Sequence, residues 1–302
     1  MVAQTAKAEE KDDIRSQPAI DHADVTALNF VRSSPHYLLR RHFRQGLRSH
    51  IMEILNPADV EIEQSGTVVD GMRCFPKARP CRMFRIFRSR LRTLDKALAE
   101  IGRVKIVERY LAPDFMATST ECIVDYRGPD GWDLLLCGFQ EYVQGEILDP
   151  WTLLDTAELL PALYDTLGHT GRPLPMSRDE WIGVIMQKGE GFIDSIKKMI
   201  YEAGHIPDLA GAGNLMVTAK GAICLVDINN ISRIKFDSAI NLDEKGYPVG
   251  DKSVEALFLI EKKILGRPID MQEKIYGHFL VPKRRRAVRD KEKRFWKIKD
   301  SR

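Results

Sequence analysis

Between His205 and Ile231 the chain reads HIPDLAGAGNLMVTAKGAICLVDINNI, and this stretch carries the residue types best suited to chemistry. Asp208 and Asn214 fall in a glycine-bearing loop before a short apolar run, NLMVT. Asp227 closes a second run, AICLVDI, after a Lys-Gly turn. Two such runs around a turn read as a hairpin, and a hairpin brings its outer ends together, so the three side chains are expected at one spot. Two carboxylates and an amide carbonyl make a hard oxygen environment suited to Mg²⁺, with nucleotide phosphates completing the shell. Such a site permits phosphoryl transfer. The plainer alternative for Asp208 and Asn214 is an Asx-rich turn bent by Gly211 and Gly213. For Asp227 it is a strand-end cap of Asn229 and Asn230.

The elements that must position these groups follow from periodicity and turn residues. Residues 1–24 are polar and aperiodic and read as a flexible leader. From Pro35 to Leu55 the spacing reads as a helix, so 25–56 is expected to be an N-terminal helical extension broken by Pro57. VEIEQSGTVVDGMRCF and CRMFRIF read as short strands with Ser-Gly and Asp-Gly turns. A helix capped by Thr93 and running to Tyr110 buries Leu94, Leu98, Ile101, Val104, Val107 and Leu111 at spacings of three and four. ECIVDY and DLLLCGFQEYV then form two further strands. After Gly145 helices dominate: TLLDTAELLPALYDTL, the long Arg178–Ala203 segment, SVEALFLIEKKILG and MQEKIYGHFL. The expected organisation is a sheet lobe over 57–143, a helical lobe over 144–282 holding the hairpin, and a basic tail over 283–302. The fold class is α+β.

Composition sets the boundaries. The chain has 302 residues, 44% of them apolar and 29% charged, which excludes wholesale disorder. No run approaches the length of a membrane span. MVAQTAKAEEKDD has no apolar core of an export signal, and the 5 cysteines form no CxxC pattern. A cytoplasmic chain with reduced thiols is expected. The net charge of +3 is uneven, because Lys283–Arg302 alone carries eleven Lys/Arg against three Asp/Glu. A second basic stretch runs from Arg73 to Arg109. Both read either as solvated faces or as contacts for an acidic partner, anionic surface or nucleic acid.

With the Asp208–Asn214–Asp227 pattern in place, the chain resembles the protein-kinase-like superfamily in its wide sense, which includes small-molecule and lipopolysaccharide-core kinases. The resemblance covers about residues 57 to 280 and implies a two-lobed fold with ATP and Mg²⁺ as cofactors. It implies that Asp208 is the catalytic-loop base, and that Asn214 and Asp227 are metal ligands. Arg85, in CRMFRIFRSR, would stand for the strand lysine at the α/β-phosphates and pair with Glu100. Arg82, Arg88 and Lys77 are weaker candidates for that place. LLCGFQEYVQG would be the last strand and hinge, with the backbone of Gln140, Glu141 and Tyr142 meeting adenine. Asp251 would be the acid beneath the catalytic loop.

The sequence also departs from that pattern. Asp208 and Asn214 are six apart, Ile228 and Asn229 follow Asp227, no GxGxxG precedes the strands, and no Ala-Pro-Glu lies between Asp227 and Asp251. Three functions therefore stand as expectations. The first is an ATP-dependent phosphotransferase acting on a small-molecule, sugar or lipid-linked hydroxyl rather than a protein. The second is a pseudokinase that serves as a nucleotide-binding or scaffold module. The third is a nucleic-acid or anionic-surface binder using the basic stretches, with Phe295 and Trp296 as stacking groups.

Overall fold

The computed structural model describes residues 12–46, 48–169 and 173–300. The fold is α+β with antiparallel sheets. The chain divides into two units, the first built from described residues up to Ile101 with Thr118–Tyr142, the second from Gly102–Ala117 with the chain after Tyr142.

In the first unit a short helix α1 (His22–Thr26) precedes strands β1 (Leu38–Arg41) and β2 (Ser49–Leu55). Helix α2 (Pro57–Ser65), the small hairpin β3 (Thr67–Val69) and β4 (Met72–Cys74), and strand β5 (Pro80–Phe87) follow. Helix α3 (Leu94–Leu111) then leads to β6 (Ser119–Gly128) and β7 (Gly131–Glu141). The main sheet runs β1-β2-β5-β7-β6, antiparallel throughout. One face carries Leu39, Met52, Phe84, Ile86, Leu135 and Cys137, packed beneath Ile14, Ile20 and Val25. The other face packs Phe87 and Leu136 with Leu91, Ala97 and Ile101.

Three sequence expectations are corrected here. The helix expected over 35–55 is the strand pair β1–β2, in register from Leu38 opposite Leu55 to Arg41 opposite Met52. β2 lies between β1 and β5 and is largely buried along its length. Its buried positions include the polar Ser49, His50 and Glu53 beside Met52 and Leu55, so its apolar residues do not alternate. Pro57 does not break a helix but begins one, because a proline lacks only the N–H that a first turn leaves unpaired, and Asn56 caps it by accepting from the Ala58 amide at 3.0 Å. Within the expected flexible leader, residues 12–24 are held against the rest of the first unit. Asp13 and Arg15 are buried and paired at 2.8 Å, Arg15 also reaches Asp133 at 2.7 Å, and Arg90 reaches Asp13 at 2.8 Å. Residues 1–11 of the expected leader lie outside the described residues. The Asp70-Gly71 turn does join β3 to β4, with both residues at positive φ.

Thr93 caps α3 as expected, its hydroxyl accepting from the Lys96 amide at 3.3 Å. Only part of the expected apolar stripe is covered, since Leu94 and Leu98 stand 53% and 51% exposed while Val104, Val107 and Leu111 are buried.

The second unit contains β8 (Glu146–Ile147), α4 (Thr156–Gly168) and α5 (Arg178–Ala203). Next come β9 (His205–Pro207), β10 (Leu215–Val217), β11 (Ile223–Leu225) and β12 (Ile231–Arg233). Helices α6 (Val249–Leu265), α7 (Lys274–Phe279) and α8 (Pro282–Asp300) complete it. Ser177 and Glu180 form a capping box at the start of α5, and Gly204 ends it in the left-handed conformation. Trp181, Ile185, Phe192, Ile196 and Ile200 bury one side of α5 in a core shared with Leu257, Ile260 and Ile264 of α6. A Cβ at Gly189 would come within 2.4 Å of Ile264, so the close approach of α5 to α6 requires glycine there.

Of the basic tail expected over 283–302, residues 283–300 belong to helix α8, and residues 301–302 lie outside the described residues. Val288 is buried, Arg284 pairs with Asp251 at 2.5 Å, Arg285 with Glu255 at 3.0 Å, and Lys252 with Glu292 at 3.2 Å. Its cations read as a charge block in one dimension, but the helix turns some of them onto acids of α6.

Candidate functional site

The hairpin β10–β11 is nested inside a second ladder, β9–β12. Leu215 opposes Leu225 in the inner pair, and Ile231 opposes Pro207 in the outer one. Between the two ladders lie two bends, residues 208–214 on one side and 226–230 on the other, and the pairing on either side of them forces the bends together. The Val226 amide donates to the Asn214 carbonyl at 2.9 Å. Asn230 donates its side-chain amide to Asp208 Oδ2 at 3.3 Å.

Within the first bend, Asp208 Oδ1 accepts from the backbone amides of Ala210 at 3.0 Å and Gly211 at 3.1 Å, an Asx turn. The buried Asn214 donates its Nδ2 to the Asp208 carbonyl at 2.8 Å. That bond fixes the amide plane and commits the nitrogen, so Oδ1 is the end of the amide left for another group. Gly211 is required by this arrangement, because a Cβ there would lie 2.4 Å from Asn214 Nδ2 and 2.9 Å from its Oδ1. In the second bend Asp227 Oδ1 accepts from the Asn229 amide at 3.0 Å.

The electrostatics couple the two bends. Burial, and then the negative charge of Asp227, push the Asp208 carboxyl up to about 6, against the opposing pull of the hydrogen bonds from Ala210, Gly211 and Asn230. Asp208 and Asp227 each cap a turn, and they are also two acids close enough to feel each other. Among the described residues no three His, Cys, Asp or Glu side chains gather as a metal site. The trio here fits a hard divalent cation in its donor set, two carboxylates and an amide oxygen, and a cation would relieve the like-charge coupling.

The support beneath the loop differs from the expected one. Asp251 is buried, but it faces Arg284 in α8. The loop backbone is instead held by Ser253, whose hydroxyl accepts from the Leu209 amide at 3.2 Å, and by Trp151, whose indole donates to the Ala210 carbonyl at 2.9 Å. Lys252 stacks on that indole, 4.1 Å from its centroid. Nothing in the spacing of Trp151 marked it. Ser253, one turn into the helix, was legible only as a helix residue. His205 turns back to the end of α5, its Nδ1 lying 2.6 Å from the Ala203 carbonyl. Asn230 was legible as a polar residue three after Asp227.

The remaining site candidates belong to the first unit. Arg85 is 2% exposed on β5 and pairs with the fully covered Glu121 of β6 at 3.2 Å, and Ser119 donates to the same Glu121 oxygen at 2.8 Å. Its guanidinium also lies over the Phe87 ring. Arg82 is exposed and Arg88 half-buried. Glu100 lies half-buried on α3. Gln140 is paired in register with Met83 on one side and Ser119 on the other, and the Glu141 amide donates to the Thr118 carbonyl at 2.9 Å. Tyr142 is the first residue beyond the ladder. Burial raises its phenol, with a further push from Glu53. Phe295, expected as a stacking group, packs against Tyr247 at 5.1 Å between ring centroids, and Trp296 keeps an exposed face.

The chain matches no known protein-family model and no curated protein. Among the described residues, no helix is long and apolar enough to cross a membrane.

Proposed function

We propose that this chain is an ATP- and Mg²⁺-dependent phosphotransferase of the protein-kinase-like type, which moves the γ-phosphate to a hydroxyl of a small-molecule, sugar or lipid-linked acceptor. The observation that carries the reading is the Asn214 amide on the Asp208 carbonyl at 2.8 Å, beside an Asp208 whose carboxyl is raised by burial and by Asp227. An acid with a pKa of about 6 is mostly ionised at neutral pH and still basic enough to take a proton. Asp208 would orient the acceptor hydroxyl and receive its proton as the oxygen attacks the γ-phosphorus. The bond from that phosphorus to the bridging oxygen breaks, and ADP leaves with the electron pair. Asp227 and Asn214 Oδ1 would hold the metal, which when bound neutralises phosphate charge.

Other features support the same reading. The main sheet of the first unit is antiparallel, and helix α3, which begins in that unit, is inserted in sequence between β5 and β6. In the second, α5 runs directly into the strand before Asp208. The absence of Ala-Pro-Glu between Asp227 and Asp251 favours a small acceptor over a peptide. In this reading Arg85, steadied by Glu121, serves the α/β-phosphates with Glu100, and residues 140–142 serve the adenine.

The depth of Arg85, 2% exposed against Glu121, favours a second reading, a pseudokinase that binds nucleotide without turnover. ADP formation from Mg-ATP separates the two. Turnover in the wild type that is lost in Asp208→Asn and Asp227→Ala supports the phosphotransferase. Equal background in all three removes it, and a thermal shift with ATP in the absence of turnover then leaves the binding module.

A further inference from the structure

The main sheet of the first unit has a cavity on the face opposite Arg85. Side chains alternate along a strand, so Phe84, which lines the cavity, and Arg85, which pairs with Glu121, point to opposite faces. The cavity measures about 370 Å³, within the range of small-molecule sites. Its floor runs from Leu39 on β1 through Ile54, Phe84 and Phe139 to Val124 on β6, and so crosses every strand of the sheet. Four inter-strand steps span roughly 19 Å. That floor is long for the volume, which suits an extended single chain better than a fused ring system.

The chemistry of the lining is equally one-sided. Apart from the thiols of Cys122 and Cys137, the walls are hydrocarbon or aromatic, and the sole charged lining residue is Arg32. Arg32 stands exposed at the rim and makes no ion pair among the described residues. Tyr37, which also lines the cavity, donates its hydroxyl to the Arg32 carbonyl and so anchors the rim. An occupant must therefore be apolar along its body and anionic at one end.

We propose that this cavity binds a free medium-chain fatty acid, its chain lying across the sheet face and its carboxylate meeting Arg32. The site is independent of the phosphotransfer reading, since it uses none of the residues assigned there.

Calorimetric titration of the full chain with decanoate and with decan-1-ol, below their aggregation limits, tests it. Saturable one-to-one binding of decanoate is expected. Arg32→Gln, an exposed position whose change leaves the fold intact, should weaken decanoate about fivefold and leave decanol unchanged. Val124→Phe, which fills the floor, should abolish both. In the wild type, decanoate should also slow alkylation of Cys122, a readout that needs no variant. Absence of saturable decanoate binding would overturn the proposal. So would an affinity for decanoate unchanged by Arg32→Gln, or Cys122 alkylation at the same rate with and without the ligand.

Discussion

Asn214 holds Asp208 by its backbone and not by its carboxylate, donating its side-chain amide to the Asp208 carbonyl 6 residues upstream at 2.8 Å. The carboxylate is thereby left to two backbone amides and to Asn230, and the amide oxygen of Asn214 is turned to the unbonded side. One hydrogen bond thus sets the orientation of two of the three oxygen donors.

Removing that bond should have a defined cost. Asn214→Ala leaves a loop carbonyl without its partner, and a loss of about 1–3 kcal/mol is expected from urea unfolding. Asn214→Asp should be worse at neutral pH, because it replaces a donor with a third negative charge beside Asp208 and Asp227. If Asn214→Asp unfolds at the same urea concentration as the wild type, the hydrogen bond is not contributing as described.

The acid–acid coupling gives a pH signature. Folded Asp208 titrates at about 6, above its ordinary 3.8. Between these values the folded chain keeps a proton that the unfolded chain has lost, so stability should fall as pH rises from about 4 to about 6, and the loss should persist above. Asp208→Asn should remove that part of the slope, and Asp227→Asn should lower the Asp208 pKa by removing the like charge. Carbon-detected titration of the Asp208 carboxyl reads the second effect directly. An unchanged midpoint in Asp227→Asn would show that the two acids are not coupled.

Gly211→Ala tests the bend from the other side. The new methyl would have to displace the Asn214 amide, 2.4 Å from where the Cβ must sit. A drop in melting temperature is expected, together with loss of whatever Asn214 supports. A stability and activity equal to wild type would mean that Asn214 does not occupy the described position.

The C-terminal helix should be integral to the second unit. Arg284 covers Asp251 through two hydrogen bonds and also donates to the Asp237 and Ala239 carbonyls. Arg284→Ala strands a buried carboxylate, and a cost of about 3 kcal/mol is expected. Asp251→Asn should cost less, since it removes the charge rather than its partner. If both variants melt with the wild type, α8 is not docked as described.

Local signals carried much of the architecture. Helix α5 was legible to its ends because Ser177, Glu180 and Gly204 are all local signals. The Asp208–Asp227 bends were legible because a hairpin needs only a turn and two apolar runs. What stayed hidden depended on distant partners. β2 reads as a helix until β1 and β5 are known to flank it. The order of residues 12–24 rests on Arg15 meeting Asp133 and on Ile14 donating its amide to the Tyr126 hydroxyl, pairings separated by more than a hundred residues. The Lys283–Arg302 block looked uniform in charge because the sequence does not display which cations face α6. Ser253 took the place expected of Asp251 for a similar reason: both are polar residues near the start of one helix, and the sequence does not display that Asp251 meets Arg284 of α8.

The claim on which the rest depends is that Asp208, Asn214 and Asp227 gather around one divalent cation. Electron paramagnetic resonance of Mn²⁺ added with ATP tests it most directly. The wild type should bind the ion at one site, and Asn214→Ala and Asp227→Asn, checked for intact folding, should each weaken that binding at least tenfold. Equal Mn²⁺ occupancy in the wild type and both variants would contradict the account.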